Sequence, residues 1–232
     1  MARESGFPGF PKKTFEFLSA LERHNTKAWF DAHRADYEAF YLAPAKALVR
    51  VLGLKLRKIS PHVQFDPRIN GSLFRINRDI RFSKDKSPYK THLDLLFWEG
   101  EEKDWSVPGF FFRMHSDRLM LGCGIYMLGK PQLDAYRAAV VEAKSGRALE
   151  TMMAKIRKTG PEIGGAARKQ VPRGFDAAHP RAPLLLYEGL YAMMEGPIPK
   201  EARSSTFVDY CLKRFAKMAP VNRWLLQYVV RK

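Results

Sequence analysis

The chemically capable side chains of this sequence are concentrated between Arg68 and Thr91. From Arg68 to Lys90 there are seven basic and two acidic residues, a net +5. Arginine offers a planar donor fork that suits bidentate contact with phosphate or carboxylate, and lysine offers a point charge. Arg75, Arg78, Arg81, Lys84, Lys86 and Lys90, with the hydroxyls of Ser83 and Tyr89, therefore form a candidate anion site that needs no metal. The opposing reading is a strand with a solvated outer face followed by a polar loop. Arg78 discriminates between them. The alternation places Phe74, Ile76, Ile80 and Phe82 on one face, and Arg78 falls on that apolar side. Buried without a partner it would cost several kcal/mol, so it requires either an internal carboxylate such as Asp79 or Asp94, or the bound anion itself.

Proton-transfer candidates are fewer. None of the six histidines lies at a recognised metal-binding spacing. His92 with Asp94, and His115 with Asp117, place an imidazole and a carboxylate two residues apart, which is one face of a strand. Asp79, His92 and His115 are accordingly the candidates for proton transfer should the site be catalytic; a surface polar face is the alternative. Cys123, between Gly122 and Gly124, is a nucleophile only if the fold brings a histidine beside it. With Cys211 as the second and last cysteine, a disulfide framework, a zinc ribbon and a CxxC centre are excluded. GxSxG, Walker and GxGxxG motifs are absent, and no cofactor is implied.

The elements that must position these groups follow from hydrophobic period. Residues 12–60 are helical: one helix follows Thr14 as N-cap, a second follows Thr26 with Trp29, His33, Tyr37 and Tyr41 at i+4 spacing, and a third starts at Pro44. Residues 72–127 are strand-rich, with strands expected over 73–82, 91–98, 109–115 and 118–126. Their short connections favour an antiparallel meander, because parallel pairing needs a long crossover. Helical patterns return over 131–230, at 131–144, 146–158, 183–194, 201–217 and 220–230, around a Gly/Pro-rich connection at 160–183. The expectation is a single α+β domain over 1–232: a meander sheet of about four or more strands in mid-chain, packed by N-terminal and C-terminal helices.

Several segments together resemble a known family. They are Asn25-Thr-Lys-Ala-Trp29-Phe30 with Tyr37-Glu38 and Pro44, Arg75-Ile-Asn-Arg78-Asp79-Ile-Arg81-Phe-Ser83-Lys84-Asp85-Lys86-Ser-Pro-Tyr89-Lys90-Thr91, and Pro108-Gly-Phe110. Further along come Gly122-Cys-Gly124-Ile-Tyr126, Val171-Pro-Arg-Gly-Phe-Asp176 with His179-Pro180, and Ala219-Pro220 with Arg223-Trp-Leu225. The chain resembles the bacterial and fungal proteins of the family called domain of unknown function 2461. The resemblance implies a full-length, single-domain member and carries over no activity, ligand or catalytic residue.

The remaining bounds come from composition. The chain has 232 residues, 46% of them hydrophobic, with 40 Lys plus Arg against 24 Asp plus Glu for a formal +16. That hydrophobic content excludes general disorder. The charge favours anionic partners, whether a phosphorylated small molecule or a nucleic-acid backbone. The opening residues lack a signal-peptide layout and no apolar run reaches the roughly 20 residues of a membrane span, so the expectation is a cytoplasmic protein without membrane insertion. Functionally, the sequence points to binding of a phosphorylated or other anionic ligand through residues 75–91. The alternatives are an enzyme acting on a small phosphorylated metabolite, and a non-sequence-specific nucleic-acid binder or scaffold module.

Overall fold

A computed structural model describes residues 6–101 and 103–230. Helix α1 (Lys12–Arg23) begins after Pro11. Thr14 is therefore inside the helix and not its N-cap; its buried hydroxyl donates to the Phe40 carbonyl. The reason lies in Pro44. Proline has no N–H for the carbonyl four residues back, which is that of Phe40, so the ladder is disturbed and an outside donor is useful there. The expected second helix is accordingly segmented into α2 (Lys27–Ala32), α3 (Arg34–Asp36) and a π-helical stretch, Tyr37–Leu42. In that stretch the Ala43 N–H reaches back five residues to the Glu38 carbonyl. Helix α4 (Ala43–Leu56) then takes Pro44 in its first turn, where a missing N–H costs nothing. Thr26 does cap α2, accepting from the Trp29 N–H at 3.3 Å.

The middle of the chain forms an antiparallel sheet of β1 (Val63–Gln64), β2 (Leu93–Glu99), β3 (Gly109–Met114), β4 (Arg118–Ile125), β5 (Glu162–Ala166) and β6 (Tyr187–Pro197), in the order β1-β2-β3-β4-β6-β5. Every residue of β2 is buried, in keeping with its nearly continuous apolar run. In β3 the alternation holds: Phe110, Phe112 and Met114 are buried, while Phe111 and Arg113 on the other face are half-exposed. The later helices are α5 (Lys130–Val141), α6 (Ala143–Lys158), α7 (Phe207–Met218) and α8 (Pro220–Tyr228). The architecture is α+β, with the sheet in mid-chain and helices N-terminal and C-terminal to it. No helix among the described residues is long and apolar enough to cross a membrane.

Three further sequence expectations are corrected. Residues 73–82 make no regular strand; among the described residues they contribute isolated bridges, Leu73 to Ile69 and to Leu95, and Asn77 to Tyr89. Asp79 and Asp85 turn the backbone locally by accepting from the N–H groups of Arg81 and Ser87 two residues on (3.2 and 2.9 Å). Such side-chain bonds compete with a strand ladder. Phe82, expected inside, is 94% exposed. Second, residues 187–194 form strand β6 and not a helix, preceded by a 3-10 turn at Ala182–Leu186. A Cβ at Gly189 would lie 2.0 Å from the Tyr126 carbonyl oxygen, and one at Gly124 (φ +131) 2.3 Å from that of Leu190. Glycine alone permits these backbones to approach so closely. Third, the 160–183 connection contains β5, which pairs antiparallel with β6, Ile163 opposite Ala192.

By internal contacts the chain divides into two compact units. One holds the residues up to Phe97, Phe111–Leu121 and Glu195–Lys213; the other holds Trp98–Phe110, Gly122–Met194 and the residues from Arg214 on. Leu18, Leu48, Leu52, Leu95, Phe112 and Phe207 are fully buried in the first, and Phe110, Tyr136, Leu149, Leu190 and Phe215 in the second.

Candidate functional site

Residues 77–89 fold back on themselves as a loop with Arg78 at its centre. The Arg78 N–H donates to the Pro88 carbonyl (2.9 Å) and the Lys90 N–H to that of Ile76 (2.8 Å). The Arg78 guanidinium pairs with Asp85 and donates to the Ser87 carbonyl (3.2 Å) and the Ser83 hydroxyl (3.3 Å). The internal carboxylate that Arg78 requires is thus Asp85, not Asp79 or Asp94. Asp85 is held down at about 2 by its bonds from Ser87 and then Arg78. Asp79 is held at about 2 by Arg81, whose fork it accepts at 3.0 and 2.7 Å. The Lys86 ammonium donates to the Ile80 carbonyl (3.0 Å). Arg75, Arg81, Lys84 and Lys86 are exposed. Tyr89 is buried against Phe30, ring centroids 4.2 Å apart. Its ring belongs to the packing.

The base of this loop opens onto a second cluster, centred on Asp94, a carboxylate only 4% exposed. Arg113 grips it bidentately, Nε to Oδ1 at 2.7 Å and Nη2 to Oδ2 at 3.1 Å. His92 Nε2 lies 3.2 Å and Lys90 Nζ 3.8 Å from Oδ2. Lys90 also sits over the Phe74 ring at 5.0 Å, and the buried Tyr41 hydroxyl donates to the His92 carbonyl (3.1 Å). Burial alone would raise the Asp94 carboxyl, but the bonds and charges of His92 and Arg113 outweigh it and leave it below the ordinary range. Lys90 is lowered, first by burial and then by the charges of Arg113 and Arg75 against the pull of Asp94. His92 and His115 bring their rings to 4.9 Å. His115 is pushed down to about 4 by burial and then by the charges of His92, Arg118 and Arg113.

A family model described as conserved hypothetical protein (DUF2461) matches residues 13–224. The chain belongs to the DUF2461 family. Comparison with curated proteins returns no match. In this DUF2461 protein, two of the segments that carry the resemblance are joined directly. The Asn25 side chain donates to the Tyr89 carbonyl (2.9 Å) and accepts from the Tyr89 N–H (3.1 Å). With the stacking of Phe30 on Tyr89, this fixes the root of the basic loop.

Of the sequence candidates, the structure brings Lys90 and His92 to Asp94, and His92 to His115. Asp79 stays apart, bound to Arg81 in the loop. Arg113 and Asn25 were not singled out as site residues. Arg113 carried a signal, since it is a charged residue facing away from the core of an otherwise apolar strand. Asn25 stood only within a segment of the family resemblance, because its role depends on a contact 64 residues away. Cys123 is buried with Sγ 3.1 Å from the Met218 carbonyl oxygen and 3.3 Å from Asn222 Oδ1. Burial drives its thiol upward, away from the reactive thiolate. His33 stacks on Trp29 at 4.0 Å. Among the described residues, no three His, Cys, Asp or Glu side chains come together as a metal site.

Proposed function

We propose that this DUF2461 protein binds a phosphorylated or otherwise anionic ligand where its basic loop meets the Asp94 cluster. Lys90, Arg113 and His92 would supply the inner contacts and Arg75 an outer charge. The exposed Arg81, Lys84 and Lys86 would raise the local concentration of anions. One observation carries this reading. Lys90, Arg113 and His92 converge on a single buried carboxylate, and, after burial, neighbouring cations work against protonation of Lys90 and His115. An anion there would relieve that repulsion.

The test is calorimetric titration and thermal shift with inorganic phosphate, pyrophosphate and mononucleotides, comparing the native protein with Lys90→Met. Stabilisation by at least one of these anions is expected, weakened about tenfold or more in the variant, as befits a charge-assisted contact. The His115 imidazole, followed by NMR, should titrate with a midpoint of about 4, and that midpoint should rise when the anion is bound. Equal binding by Lys90→Met, or an unmoved His115 midpoint, would sink the proposal.

The hydrogen bond between His92 and Asp94 favours a second reading, an enzyme acting on a phosphorylated metabolite. His92 would move a proton while Asp94 orients its ring. Turnover of any phosphate ester that persists undiminished in His92→Gln would exclude it. A nucleic-acid version of the first reading requires affinity that falls steeply with salt.

A further inference from the structure

A different surface, within the second unit, has the composition of a docking groove. Helix α6 and the first turn of α8 line a groove of about 830 Å³ that includes Lys144, Arg147, Met152, Lys155, Pro220 and Arg223. Its charged members are four cations, and no carboxylate is among them. None of the four takes part in an ion pair among the described residues, although Arg168 and Arg181 in the same unit do. The acidic groups at this end of α6 and along it, Glu142 and Glu150, are already engaged, Glu150 with Arg181 at 3.6 Å. Glu142 caps α6 by accepting from the Lys144 and Ser145 N–H groups at 2.9 and 2.6 Å. Apolar side chains, among them Ala148, Pro220 and the buried Met152, complete the lining.

The spacing of the cations adds to their number. Lys144, Arg147 and Lys155 lie on one face of α6 and, at about 1.5 Å rise per residue, span roughly 16 Å. Their steps follow the helical repeat, so carboxylates recurring at the same period on a second helix laid alongside would meet them in turn. A lining that is both apolar and basic suits an amphipathic helix with an apolar seam and acidic flanks. A single-stranded nucleic acid suits it poorly, because no aromatic ring lines the groove to stack its bases.

We infer that the α6–α8 groove docks an acidic amphipathic helix of a partner protein. The site is separate from the anion site at Lys90 and is tested separately. The probe is a fluorescein-labelled helical peptide with Leu along one face and Glu flanking it, read by fluorescence anisotropy. An analogue with Gln for Glu and a labelled single-stranded oligothymidylate serve as comparators. The Glu peptide should bind the native protein, and the Gln analogue should bind at least about tenfold more weakly. Arg147→Glu with Lys155→Glu should weaken the Glu peptide by at least about tenfold, whereas Lys84→Glu with Lys86→Glu in the basic loop, which makes the same change in net charge, should weaken it by no more than about twofold. Both pairs are exposed, and thermal unfolding checks that each variant folds; Arg147→Gln with Lys155→Gln replaces a charge-reversed protein that does not. No peptide binding, equal loss in the loop variant, or oligothymidylate binding abolished by the α6 variant would each overturn the inference.

Discussion

A carboxylate buried as deeply as Asp94 stays ionised only while donors surround it, and Arg113 supplies two of them. Arg113→Met leaves that charge to His92 and Lys90. The expected loss is about 3 kcal/mol, towards the lower end for breaking a buried pair, since Arg113 keeps about a third of its own surface in water. Denaturant unfolding measures it, and Asp94→Asn in the same background should recover part of the loss by removing the stranded charge. The sign of the pH dependence follows from the lowered Asp94 carboxyl. The folded state binds its proton less readily than the unfolded chain, so the stabilisation is complete above the ordinary range near pH 4. It is lost as pH falls through the lower, folded value. In Asp94→Asn that part of the acid limb should be absent.

At the scale of elements, the basic loop is held at its root by Asn25 and internally by Arg78. Asn25→Ala removes two partly buried hydrogen bonds to the Tyr89 backbone and should cost about 1–3 kcal/mol. Amide exchange should quicken selectively over 77–90 while β2 and β3 keep their protection. Uniform quickening would mean that Asn25 supports the whole unit and not the loop. This element also marks where sequence reasoning stops. Helix starts at Thr26 and Pro44 and strands β2, β3 and β4 follow from caps and short-range period, which act within a few residues. Residues 73–82 carry the same alternation but lose it to the turns at Asp79 and Asp85. The helix-forming Leu, Ala and Met of 187–194 yield to strand pairing, where backbone approach at Gly189 decides.

For the whole molecule, the expectation of one domain predicts one cooperative unfolding transition. Trp29 reports on the first unit and Trp224 on the second, so single-tryptophan variants monitored by fluorescence should melt together and coincide with far-UV circular dichroism. Separate midpoints would divide the protein at the two units. The +16 charge is likewise distributed among distinct settings: an exposed loop, the surplus around Asp94, and the unpaired row on α6. By itself the sequence determined the α+β class, the concentration of cations at 68–90 and the family, because composition and local period are written residue by residue. Tertiary structure alone decided that Arg78 pairs with Asp85, that Arg113 grips Asp94, and that the α6 cations line one groove. Each of these is a choice among several available partners. Such a choice is made by which strands pair and which loops close, and neighbouring residues do not encode it.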